Sequence, residues 1–184
     1  MDKIFISGSM KIKNLDPKVL NRIDNIISLN YIVIVGDADG VDSSIQEYLH
    51  TKNYNNVLVY CTGKQPRNNI GRWPVKNIET TAQSGTRAFF TVKDIEMAND
   101  CNYGMMIWDA KSTGTLSNVL ELLKQKKNSL VFINKSKEFI KVKDIHGLEQ
   151  LLKSMSEFSF NKADAKLKIK EKVMSFKNEQ SALF

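Results

Sequence analysis

Short runs of consecutive apolar residues alternate along this chain with longer segments in which apolar positions recur every three or four residues. A continuous apolar run of five or six residues marks a strand buried on both faces; the wider spacing marks an amphipathic helix. Strands are predicted at 3–7, 31–35, 57–61, 103–108 and 130–133, with a short edge strand at 139–142. Asp16-Pro17 supplies an N-cap and a first helical residue, and Val19, Leu20, Ile23, Ile26 and Ile27 form the inward face that follows. Asp39 is expected to cap a second helix with the stripe Val41, Ile45, Tyr48 and Leu49. A third is predicted over 86–100, with Phe89, Phe90, Val92 and Met97 for packing. Thr115 is expected to open a fourth carrying Leu116, Val119, Leu120, Leu122 and Leu123, and Asp144 to cap a fifth carrying Ile145, Leu148, Leu151 and Leu152. Strands alternating with helices predict an α/β domain with a mostly parallel sheet of five to six strands and crossover helices. That domain is assigned to 1–155, and 156–184 to a C-terminal helical or partly flexible tail with a helix at 163–176. Between 63 and 85 the periodicity stops; this stretch, with Arg67, Arg72, Trp73 and Pro74, is expected to be an irregular lid or an extended surface loop.

Composition adds bounds. With 184 residues, 42% hydrophobic and 26% charged, the chain suffices for one packed domain and a tail. No run approaches the ~20 apolar residues of a membrane span. The N-terminus lacks a basic flank, an apolar core and a small-residue cleavage site, so no secretory leader is expected. Cys61 and Cys101 lie singly in or beside apolar segments and are expected to be buried free thiols, which fits a cytoplasmic location. The net charge of +7 suits nucleic acid or an anionic small ligand. Its lysines are not interleaved with aromatic residues, so no nucleic-acid platform stands out, and most are expected on solvated surface.

Three turns carry the chemistry, each directly after a predicted strand: Gly8-Ser9-Met10, Gly36-Asp37-Ala38-Asp39-Gly40, and Lys111-Ser112-Thr113-Gly114-Thr115. In open parallel sheets ligands bind outside the carboxyl ends of the strands, where turns aim N–H groups and helix N-termini at phosphate. A phosphate- or nucleotide-binding crevice built from three stretches of chain is therefore expected. Gly36 and Gly40 allow close backbone approach, whereas Asp37, Asp39 and Asp42 would repel a phosphate and are expected to accept from a ribose hydroxyl, cap the helix or hold a cation. A calcium loop is not expected, because its spacing and terminal Glu are missing. The 111–115 turn is the better phosphate site, with hydroxyls from Ser112, Thr113 and Thr115 and charge from Lys111. It is not a P-loop, and no GxGxxG fingerprint occurs. His50 and His146 are far apart, so no metal site is expected, and no cofactor either.

Taken in order, Ile6-Ser7-Gly8-Ser9, Gly36-Asp37-Ala38-Asp39-Gly40-Val41-Asp42, Lys93-Asp94-Ile95-Glu96-Met97, the strand ending Trp108-Asp109 and Lys111–Thr115 resemble the SLOG superfamily of DprA-like, LOG-like and YspA/YpsA-like proteins, the last branch most of all. The resemblance covers about residues 3 to 135. It implies a Rossmann-like three-layer domain that binds a nucleotide or nucleotide-derived ligand, such as one like ADP-ribose, and a homodimer. LOG-like enzymes cleave the N-glycosidic bond of nucleoside 5′-monophosphates. In this chain Asn118 holds the position of their Glu and Lys93 that of their Arg. An amide cannot act as a general acid or base, so Asp94, Asp37, Asp39 and Asp42 are the candidate catalytic carboxylates. The expected function is ligand binding for sensing or sequestration: phosphate on the 111–115 turn with Arg87 and Lys93, ribose on the 37–42 turn, and Trp108 either in the core or stacked on the base. The alternatives are N-glycosidic hydrolysis in the same pocket and DprA-like binding of single-stranded nucleic acid.

Overall fold

The structure, a computed structural model, describes residues 1–182. Its first half runs β1 (Lys3–Gly8), α1 (Pro17–Ser28), β2 (Ile32–Gly36), α2 (Val41–Thr51), β3 (Val57–Thr62) and β4 (Val75–Ile78). It continues with α3 (Arg87–Asp100), β5 (Tyr103–Trp108), α4 (Thr113–Lys124), β6 (Ser129–Ile133), β7 (Glu138–Val142), α5 (Ile145–Leu152), α6 (Glu157–Leu167) and α7 (Ile169–Ala182). The strands form one sheet ordered β4-β3-β2-β1-β5-β6-β7, parallel except for the β6–β7 pair. This is a Rossmann-like three-layer α/β fold.

The continuous apolar strands explain the layers. Side chains alternate across a strand, so an unbroken run needs cover on both faces. Ile4 and Ile6 of β1, with Val33 and Val35 of β2, pack against Val19, Ile23 and Ile26 of α1 and Val41, Ile45 and Leu49 of α2. Phe5, Ile34, Met106 and Trp108 point the other way into a second core shared with α3, α4 and α5. Ala163, Leu167 and Ile169 of α6 and α7 are buried in that second core.

Local chemistry sets several element ends as expected. Asp16 accepts from the Lys18 amide with Pro17 opening α1, and Asp144 accepts from the Gly147 amide. Cys61 and Cys101 are buried and free. Other ends differ. Among the described residues the sheet has seven strands, not five or six, because Val75–Ile78 pairs with β3 inside the segment expected to be irregular. Asp39 does not cap α2: Gly40 occupies the cap position, and Asp39 instead accepts from Asn68 Nδ2 at 3.0 Å. The fourth helix begins at Thr113, with Ser112 at its cap. The C-terminal segment forms two helices instead of one over 163–176, broken at Lys168, whose φ is 54°. Residues 183 and 184 of the expected tail lie outside the described residues. Among the described residues no helix is long and apolar enough to cross a membrane.

Candidate functional site

From β1 the chain winds outward through β2, β3 and β4; after α3 it resumes on the other side with β5. β1 and β5 are therefore neighbours whose following connections diverge, the switch point at which parallel α/β sheets open a crevice. A cavity of about 400 Å³ lies there. Its walls come from the β1 turn (Gly8, Met10), the start of α2 (Asp42), one face of α3 (Arg87, Phe90, Lys93, Asp94), the start of α4 (Ser112 to Thr115, Ser117 and Asn118) and Lys166 of α6.

Under one wall lies a buried charge cluster. Lys93 is 3% exposed and Asp37 also 3%. Lys93 Nζ is 3.2 Å from Asp94 Oδ1 and 3.7 Å from Asp37 Oδ1. Arg67 closes the cluster from the β3–β4 connection, with Nη2 2.8 Å from Asp37 Oδ1 and both Nε and its backbone N–H donating to Asp37 Oδ2. The Arg67 guanidinium also stacks 4.4 Å above the Phe90 ring. Gly36 makes the crowding tolerable: a Cβ there would collide with the Asp42 carboxylate and come within 2.9 Å of Lys93 Nζ.

Each ionisable group responds to these neighbours. Burial opposes the charge of Asp37, but the Arg67 hydrogen bonds outweigh it and hold the carboxyl below its ordinary range. Burial also opposes the charge of Lys93, yet the surrounding Asp94, Asp42 and Asp37 keep its ammonium proton bound above the ordinary lysine range. Burial pushes Asp94 up. Asp42, 4% exposed, is pushed by burial to about 7, against the attraction of Lys93. Its Oδ1 is buried with no hydrogen-bond partner.

The opposite wall is the start of α4. Asp109 Oδ1 accepts from the amides of Lys111 at 2.9 Å and Ser112 at 2.7 Å, which folds the turn back on itself. Ser9 Oγ accepts from Asp109 N–H, and Trp108 Nε1 donates to the Ser112 carbonyl at 2.9 Å. So anchored, the turn presents the first residues of α4 to the cavity, and Ser112 makes no side-chain cap. The leading N–H groups of an uncapped helix carry partial positive charge and lack internal partners. Gly114 has open space where a Cβ would stand, and Arg87 Nη1 reaches Thr113 Oγ1 at 3.5 Å.

Many of the residues singled out from sequence converge: Gly8, Met10, Asp42, Arg87, Lys93, Asp94, Ser112, Thr113, Gly114, Thr115 and Asn118 all line the cavity. Gly36 and Asp37 lie directly behind it, beside Asp42 and Lys93. Ser9, Gly40 and Trp108 serve the scaffold. The Gly40 φ of 80°, against the Met10 backbone, holds two of the turns together. Trp108 is fully buried and has no face open for stacking on a base. Lys111 and Asp39 are exposed and outside the cavity lining. Sequence reasoning missed Arg67, Phe90 and Lys166 as cavity residues. Arg67 stood in the aperiodic stretch, a weak signal, whereas nothing local marks Lys166. No protein-family model matches the chain, and no curated protein matches it either.

Proposed function

We propose that this crevice binds a nucleotide or a nucleotide-derived anion, as the likeness to SLOG proteins implies. The observation that carries the proposal is the convergence, at the β1/β5 switch point, of the uncapped α4 N-terminus with the Arg87 and Lys166 side chains. Lys93 and Arg67 are already engaged by carboxylates, so Arg87, Lys166 and the helix start form the anion-attracting end. The ligand's phosphate sits there and its sugar extends toward Asp42 and Asp94. The cavity's volume is near the lower end of the ~300–1,000 Å³ of ligand sites, which favours a mononucleotide-sized occupant.

A second function, N-glycosidic hydrolysis, is favoured by the position of Asp42, a carboxyl buried in the wall of the same cavity and pushed up by that burial to about 7, near the value that suits a general acid or base. Incubation with nucleoside mono-, di- and triphosphates, NAD and ADP-ribose, followed by melting temperature and by chromatography, separates the two. A rise of several degrees with intact ligand supports binding; free base with ribose phosphate supports hydrolysis. Neither signal across the panel would sink both, and steeply salt-dependent oligonucleotide binding would replace them.

A further inference from the structure

The four candidate carboxylates, Asp37, Asp39, Asp42 and Asp94, are not equivalent. Asp37 has both oxygens taken by Arg67. Asp39 is exposed, outside the cavity lining, and accepts from Asn68. Asp94 is paired with Lys93. Asp42 lines the cavity, forms no ion pair among the described residues, and has a buried oxygen without a partner. The Ala38 amide and the Lys93 charge favour its ionised form, but a buried carboxyl oxygen with no hydrogen-bond partner is costly, and native structures fill such gaps with water or ligand. Lys93 Nζ, drawn toward Asp94 and Asp37, does not fill this one.

We infer that Asp42 is the sugar-specificity residue of the crevice: its carboxyl accepts a hydrogen bond from a ribose hydroxyl, so that the site selects nucleotides that retain the 2′,3′-diol. This rests on the nucleotide-binding function proposed above. The phosphate end attracts any phosphorylated compound of suitable size, whereas the Asp42 carboxyl adds affinity only for a ligand that brings a donor. The arrangement at Gly36 supports the assignment. A side chain there would strike both Asp42 and Lys93, so only a glycine at 36 lets this carboxyl keep its place beside the cavity.

The test measures binding of ribonucleoside 5′-phosphates and of their 2′,3′-dideoxy counterparts to the full chain and to Asp42→Ala, by calorimetry. At pH 8, above the Asp42 value of about 7, the wild type is expected to prefer the ribonucleotide by about 10- to 100-fold, the value of a hydrogen bond to a charged group. Asp42→Ala is expected to bind the dideoxy ligand as the wild type does and to lose the ribose preference to within about 3-fold. Retained dideoxy binding also reports that the variant is folded. Equal wild-type affinity for both ligands would overturn the inference and leave the proposed function standing. An equal loss for both ligands in Asp42→Ala would also overturn it, by assigning Asp42 a structural role. Failure of every nucleotide, with or without hydroxyls, would instead remove the proposed function on which the inference rests.

Discussion

Asp42 and Asp37 lie five residues apart, both buried, yet their carboxyls shift in opposite directions. The difference is the partner. Asp37 is wrapped by Arg67, so its charge stabilises the fold above the ordinary carboxylate range and loses that effect as the pH falls through its depressed value. Asp42 has the opposite sign. Its folded pKa of about 7 lies above the unfolded value, so its contribution is most favourable below the unfolded pKa and is lost as pH rises toward and through 7. Melting curves should therefore show Asp42→Asn gaining on the wild type as pH rises from 5 to 8. A pH-independent difference would contradict the burial assigned to this carboxyl. Arg67→Met should cost about 1–3 kcal/mol in denaturant unfolding, because Asp37 is left buried without its main partner while Lys93 still neutralises it in part. The Asp37–Asp42 sequence announced a site, since so many carboxylates beside glycines have few structural uses. It did not announce which Asp would be satisfied, because the satisfying Arg67 enters from a distant connection with no periodicity of its own.

Among the elements, α4 separates binding from stability most cleanly. Gly114 sits in its first turn, lines the cavity and has room for a side chain. Gly114→Asp should leave stability unchanged or raise it by up to ~1 kcal/mol, since a carboxylate suits a helix N-terminus. The same charge should abolish binding of phosphorylated ligands, as calorimetry would record. At the other end of the chain, Lys168 adopts left-handed geometry between α6 and α7. Lys168→Gly should raise stability by about 1 kcal/mol in denaturant unfolding, with no strain to relieve if the break were elsewhere. Elements with unbroken apolar runs or strong caps were legible. β4 was not: Val75-Lys76-Asn77-Ile78 is short, follows Pro74 and pairs with β3 alone, so its polar outer positions dilute the pattern. The break at Lys168 was equally hidden, because lysine carries no sequence signal for a positive φ.

For the whole molecule, the alternation of strands and helices made the layered fold legible, and the position of the three turns after strands placed them together at one sheet edge. The strand order was not legible, yet it is what puts β1 beside β5 and opens the crevice between their turns. The contribution of α6 was also hidden. Lys166 reaches the cavity because Ala163 and Leu167 anchor its helix to the core on the α4 side of the sheet. The most direct test of the nucleotide-binding account is calorimetric titration of the wild-type chain and Gly114→Asp with ribonucleoside 5′-mono- and diphosphates. Saturable binding to the wild type, absent from an equally stable Gly114→Asp, is the predicted result. No binding to the wild type, or equal binding to both, would contradict a phosphate site at the start of α4.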